Sequence, residues 1–142
     1  MKTNTAMSTL LLSTQPAGTP VNEEYLDFIE WEDCILIDSF ACNLPRAFHD
    51  TCFSDRTDCE ASINHLHLEN LSLGLDLIYA WEKMLRIKYP DRSFVVVLSC
   101  DFDEGEVTTR FYQNRINEPK WVNDSDLESY KDEALLILEI LE

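Results

Sequence analysis

The stretch SFVVVLSCDFDEGEVTTRFYQNR, residues 93–115, decides the fold. Its first part, residues 93–100, contains a continuous apolar run that is typical of a buried strand. Asp103-Glu104-Gly105 supplies turn residues, and residues 106–115 then alternate, with one face formed by Val107, Thr109 and Phe111. The stretch therefore predicts two antiparallel strands joined by an acidic hairpin turn.

The flanking segments complete an α+β pattern. Residues 71–89 predict the longest helix, because apolar residues recur at helical spacing at Leu71, Leu75, Ile78, Trp81 and Leu85. Pro90 ends this helix. Residues 61–68 have the composition of a strand, and the capping box Ser125-Asp126-Leu127-Glu128 predicts a last helix that continues to Leu141. The order β-α-β-β-α over residues 61–141 predicts an α+β fold, with a mainly antiparallel sheet and two to three helices.

The first sixty residues carry weaker patterns. Residues 1–20, which are rich in Ser and Thr, predict a flexible N-terminal tail with at most one edge strand at Ser8–Ser13. The remaining chain, residues 21–142, is predicted to be one acidic domain. Its first elements would be a short acidic amphipathic helix from Val21 to Glu30 and a buried strand at residues 34–37. Residues 41–60 are predicted to form a long irregular connection.

Charge excludes several classes of function. The chain has 142 residues, with 27 Asp and Glu against 11 Lys and Arg, for a net charge of -16. The acids are concentrated in residues 1–60 and 101–142, while residues 61–100 are neutral overall. Such a charge argues against direct binding to nucleic-acid phosphates or to an anionic membrane. No apolar run approaches the roughly 18 residues of a membrane span.

The chemistry-bearing residues match no familiar catalytic motif. Three glycines in the whole chain are too few for a phosphate-binding or dinucleotide-binding loop, and no G-x-S-x-G elbow occurs. The sequence therefore predicts a protein that is not an enzyme and needs no cofactor. Five cysteines without a framework spacing predict reduced thiols and a cytoplasmic location.

One cluster keeps a metal-binding module open as an alternative. Five candidate ligands fall within a short stretch, namely His49, Cys52, Cys59, His65 and His67. Their spacing matches no standard zinc pattern, because no C-x2-C knuckle occurs.

Aromatic residues lie in or beside the acidic clusters, a combination that favours a protein-binding surface. The predicted contact residues are Tyr25, Asp27, Glu30, Trp31, Asp33, Asp101, Phe102, Asp103, Glu104, Glu106 and Trp121. The predicted function is that of an inhibitor, of the general kind of immunity or antitoxin proteins, that neutralises a basic partner such as a nuclease toxin. An alternative is that the acids mimic a nucleic-acid backbone and block a DNA-binding enzyme.

Overall fold

The computed structural model describes residues 1–142 as seven strands and three α-helices. In chain order these elements are β1 (Lys2–Thr3), α1 (Thr5–Leu11), β2 (Phe28–Trp31), β3 (Cys34–Ile37), α2 (Arg56–Ile63), β4 (His65–Leu68), α3 (Leu71–Lys88), β5 (Phe94–Asp101), β6 (Val107–Gln113) and β7 (Glu133–Ile140). Short 3₁₀ helices lie at Glu23–Leu26, Asp38–Phe40, Phe48–Asp50 and Leu127–Ser129. No helix has the length and apolar character needed to cross a membrane.

An antiparallel sheet of five strands, in the order β1-β7-β5-β6-β4, forms the centre of the fold. The β5–β6 hairpin is confirmed, as is the predicted α+β class with a mainly antiparallel sheet. Strands β2 and β3 form a separate antiparallel hairpin. This hairpin packs against α2 and against the end of β6.

The two faces of the central sheet have different covers. Helix α3 covers one face, and its apolar stripe packs on residues such as Phe94, Val96, Leu98 and Phe111. Gly74 allows a close approach there, because a Cβ at that position would lie 2.7 Å from Cδ1 of Leu98. The opposite face carries a second apolar cluster that includes residues of the 114–132 segment, with Val95, Val97, Tyr112, Val122, Leu127, Leu135 and Ile137 buried together.

The predicted last helix is wrong. Residues 133–140 form strand β7, which lies between β1 and β5, and the capping-box sequence begins only a 3₁₀ helix at Leu127–Ser129. The run from Ala134 to Leu138 is buried on both faces of the sheet. A strand buried on both faces has a continuous apolar sequence, and such a run also fits the spacing of apolar residues on one face of a helix.

Residues 2–11 do not form a tail. Strand β1 pairs with Ile137 and Leu136 of β7, and α1 follows in place of the edge strand expected at Ser8–Ser13. Met7 is fully buried, and the Asn4 side chain accepts hydrogen bonds from the amides of Met7 and Leu135. The stretch is held by contacts with the far end of the chain, which local composition does not reveal.

Two further elements differ from the predictions. The helix expected at residues 21–30 is a 3₁₀ helix followed by strand β2. Helix α2 replaces the end of the predicted irregular connection and the start of the predicted strand at residues 61–68, so that β4 begins only at His65. Asp55 caps α2 by accepting a hydrogen bond from the Asp58 amide at 2.7 Å.

Candidate functional site

The predicted contact residues lie mainly at two opposite ends of strand β5. The β2–β3 turn contacts the end where Phe94 pairs with Gln113, because Gln113 Nε2 donates to the Asp33 carbonyl at 3.0 Å. The 101–106 turn lies at the other end of β5. At about 3.3 Å per residue, the eight-residue strand separates the two ends by roughly 23 Å. The two acidic segments therefore do not form one continuous patch.

At the β2–β3 end, the carboxylates are already paired within the molecule. The Arg92 guanidinium lies 2.5 Å from Glu30 Oε1 and 3.1 Å from Asp33 Oδ1. Lys88 lies 3.7 Å from Asp27. The three predicted contact acids of this segment thus have cations from their own chain.

The turn between β2 and β3 also depends on arginines. Glu32 and Asp33 have φ angles of 51° and 65°, which are left-handed conformations that favour glycine or asparagine. Arg56 donates to the Glu32 carbonyl at 2.6 Å, and Arg115 donates to the Asp33 carbonyl at 2.8 Å. These bonds hold the turn in a conformation that its own residues disfavour.

A buried ion pair lies beneath the β2–β3 turn, in the interior of the molecule. Glu60 is fully buried on α2, and its carboxylate accepts hydrogen bonds from the amides of Ile35 and Gln113 at 2.8 and 2.9 Å. Arg115 Nη1 lies 2.5 Å from Glu60 Oε1. Burial lowers the pKa of Arg115, but the hydrogen bond to Glu60 and its charge raise that pKa above its usual value. The pair joins α2, β3 and β6, which makes it a structural group.

Two of the four predicted aromatics are used inside the fold. The Tyr25 ring packs on Phe40 with 5.9 Å between centroids, and the Tyr25 carbonyl accepts a hydrogen bond from Trp81 Nε1. Trp31 packs against the small buried cluster formed by Cys34, Leu36 and Cys59. Phe102 and Trp121, by contrast, are 50% and 42% exposed. The guanidinium carbon of Arg110 lies 4.9 Å from the centroid of the Trp121 ring. Phe102 is therefore the aromatic side chain with more of its surface available to a partner.

The other end of β5 gathers carboxylates that make no ion pair within the chain. Asp101 lies opposite Glu133 in the register of β5 with β7. The Phe102 amide donates a hydrogen bond to the Asp132 carbonyl at 3.0 Å. We call the five acids that make no ion pair here the acidic end: Asp101, Asp103, Glu104, Asp132 and Glu133. Glu106, in the same turn, is paired with His67 Nδ1 at 2.6 Å.

Burial and nearby like charges both act on the Glu133 carboxyl. Burial raises the pKa of Glu133, the charge of Asp101 raises it further, and Arg110 opposes the shift. An open cleft of about 500 Å³ lies beside these residues, lined by Asp101, Asp103, Ser129, Tyr130, Lys131, Asp132 and Glu133. The acidic end is a concave, negatively charged surface next to an exposed aromatic ring.

The five alternative metal ligands are not gathered into a site. Cys59 is fully buried next to Cys34, whereas His49 and Cys52 are exposed. The rings of His65 and His67 lie 5.3 Å apart. No group of three or more His, Cys, Asp or Glu side chains is arranged to hold a metal ion.

Comparison with known proteins assigns a family. Residues 2–142 match the family model described as "Uncharacterized protein PM0498 family". The chain belongs to this family. The match extends over every element of the fold, from β1 to β7. No curated protein and no solved structure matches the chain significantly.

Sequence reasoning missed two parts of the site. Asp132 and Glu133 were not among the predicted contact residues, because the capping box placed them inside a helix. The ion pairs of Arg92 with Glu30 and of Arg115 with Glu60 join residues that lie 62 and 55 positions apart, so sequence spacing does not reveal these partners. The adjacency of Lys131, Asp132 and Glu133 marks a charged segment, but it does not show which strand they face.

Proposed function

We propose that this protein binds a basic protein partner through the acidic end and neutralises it, as an inhibitor of the immunity or antitoxin kind does. The observation that carries this proposal is the set of five carboxylates that make no ion pair within the chain and lie beside exposed Phe102. The proposed activity is binding rather than catalysis. A cytoplasmic location is part of the proposal, and it is supported by five cysteines that are all free.

Long-range attraction of a partner and its retention at contact depend on different groups of this molecule. A net charge of -16 steers a basic partner toward the molecule from a distance and raises the association rate at low salt. At contact, unpaired carboxylates gain more from a partner's Lys or Arg than carboxylates that must first release Arg92. An exposed aromatic ring beside them is a suitable anchor. The β2–β3 end therefore contributes mainly to long-range attraction.

A pair of charge-reversal variants tests the proposal. Asp103→Lys with Glu104→Lys reverses two members of the acidic end. Glu23→Lys with Glu24→Lys makes the same change in net charge on an exposed 3₁₀ helix elsewhere. Each protein is immobilised and exposed to lysate of the source cell at low and high salt, and retained proteins are identified by mass spectrometry.

We expect the wild-type chain and the control to retain one basic protein that high salt releases, and the acidic-end variant to lose it. Thermal unfolding of both variants verifies that the fold is intact. Equal retention by the two variants would place the contact elsewhere. Absence of any salt-sensitive basic protein would contradict the proposed function itself.

A further inference from the structure

The outer edge of β4 is an unpaired strand edge. Strand β4 ends the five-stranded sheet and pairs with β6 alone. The Asn64 carbonyl accepts from the Phe111 amide at 3.3 Å. Main-chain groups alternate in direction along an antiparallel strand, so Leu66 also faces β6, while the amide and carbonyl of His65 and His67 face outward. No turn, loop or side chain of the molecule hydrogen-bonds to the main chain of either histidine.

This edge lacks the features that usually prevent strand pairing. Proteins protect sheet edges with Pro, Lys, bulges or very short strands. The sequence of β4 is His-Leu-His-Leu, and all four residues pair in regular register with β6. At the opposite side of the sheet, β1 has only two residues, one of them Lys2. Of the two edges, β4 is the one open to an additional strand.

The chemistry beside this edge indicates what would pair with it. Leu68 pairs with Val107, the residue that follows the 101–106 turn, so β4 ends next to that turn. His67 contacts Glu106, and exposed Glu69 follows the strand directly. A segment added to β4 would therefore run past Glu69 and Glu106 toward the acidic end. A second copy of this chain carries the same net charge of -16 and would be repelled.

We propose that the outer edge of β4 accepts an extended, basic segment of the partner protein as a sixth strand of the sheet. Hydrogen bonds to the main chain of His65 and His67 align the segment. Its Lys or Arg side chains face Glu69, Glu106 and Glu104. This inference rests on the proposed function and adds to it the mode of binding and the chemistry of the bound segment.

Two substitutions at one position separate the main chain from the side chain. His67→Pro removes the outward amide, which β6 does not use, and Pro is tolerated on edge strands. His67→Ala retains the amide and removes only the imidazole. The probe is the purified basic protein that the wild-type chain retains and the Asp103→Lys, Glu104→Lys variant loses. We expect His67→Pro to weaken its binding at least ten times more than His67→Ala does, as measured by calorimetry.

Hydrogen exchange provides a second test of strand addition, and it needs no variant. We expect the amides of His65 and His67 to exchange rapidly in the free protein and to become protected in the complex. Strand addition is overturned if His67→Pro and His67→Ala bind the partner equally well and these amides gain no protection. The proposed function would then be tested by the acidic-end variants alone. A wild-type dimer in size-exclusion chromatography that His67→Pro abolishes would instead identify a second copy as the occupant. If no basic protein is retained, both proposals fail.

Discussion

Glu133 faces Asp101 across adjacent strands, and burial together with that charge raises the pKa of Glu133. The folded state thus binds this proton more tightly than the unfolded chain. The contribution of Glu133 to stability falls as pH rises from the ordinary carboxyl pKa through the raised one, so the ionised group destabilises the fold at neutral pH. We expect Glu133→Gln to raise the free energy of unfolding at pH 7 by roughly 0.2–1 kcal/mol.

The gain should disappear below about pH 4, where the carboxyl is protonated in both states. Urea unfolding at the two pH values measures it. Glu104→Gln removes the same charge from an exposed position and serves as the control. A loss of stability at pH 7 in Glu133→Gln would show that Glu133 is paired rather than crowded.

The five cysteines differ in their access to solvent. Cys34 and Cys59 are fully buried, and the hydrogen bond that Cys34 donates to Cys59 raises the pKa of Cys34 and lowers that of Cys59. A lowered pKa favours reaction, but a reagent must also reach the sulfur. We expect a disulfide reagent such as DTNB to modify Cys42 and Cys52 quickly, half-buried Cys100 more slowly, and the buried pair only after unfolding. Mass spectrometry of the modified peptides assigns each thiol, and rapid labelling of Cys34 or Cys59 in the native protein would contradict this order.

At the scale of elements, the Glu60–Arg115 pair joins α2 and β3 to the end of β6. Removing one member of a buried pair leaves the other charge without compensation, which typically costs about 3–5 kcal/mol. We expect Arg115→Met to lower the free energy of unfolding by about that amount, and urea unfolding measures it. Arg46→Met removes the same charge from an exposed side chain that makes no ion pair, so it should change stability by less than about 0.5 kcal/mol. Equal effects of the two substitutions would mean that Glu60 does not depend on Arg115.

Elements that depend on local sequence could be predicted, and those that depend on distant partners could not. The β5–β6 hairpin and α3 follow from an apolar run, a turn and a helical stripe, each contained in its own segment. Strand β7 was mistaken for a helix because burial on both faces removes the alternation that marks a strand. Strand β1 was missed because its stabilising partner, Ile137, is at the other end of the chain. Pairing with distant residues also limited the prediction of the site, because the cation that pairs with Glu30 and Asp33 is brought to them only by folding.

The whole molecule carries more negative charge than its own cations balance, and the acidic end holds five of the carboxylates that make no ion pair. Self-repulsion in the compact state is then larger than in the expanded chain, so screening should favour folding. We expect the melting temperature to rise when NaCl increases from roughly 0.01 M to 1 M, which shortens the Debye length from about 30 Å to about 3 Å. Differential scanning calorimetry measures this rise. For a chain of this size, each kcal/mol of repulsion removed should raise the melting temperature by roughly 3–4 °C.

The variant that carries Asp103→Lys and Glu104→Lys should gain less from salt, because two negative charges of the acidic end are replaced by two positive ones. A melting temperature that falls with salt in the wild-type chain would mean that the internal ion pairs outweigh the repulsion. A basic partner, like salt, reduces the electrostatic repulsion that lowers the free energy of unfolding, but it does so only where it binds. Its cations would relieve the repulsion between Asp101 and Glu133 directly, so binding at the acidic end should stabilise the fold most at low ionic strength.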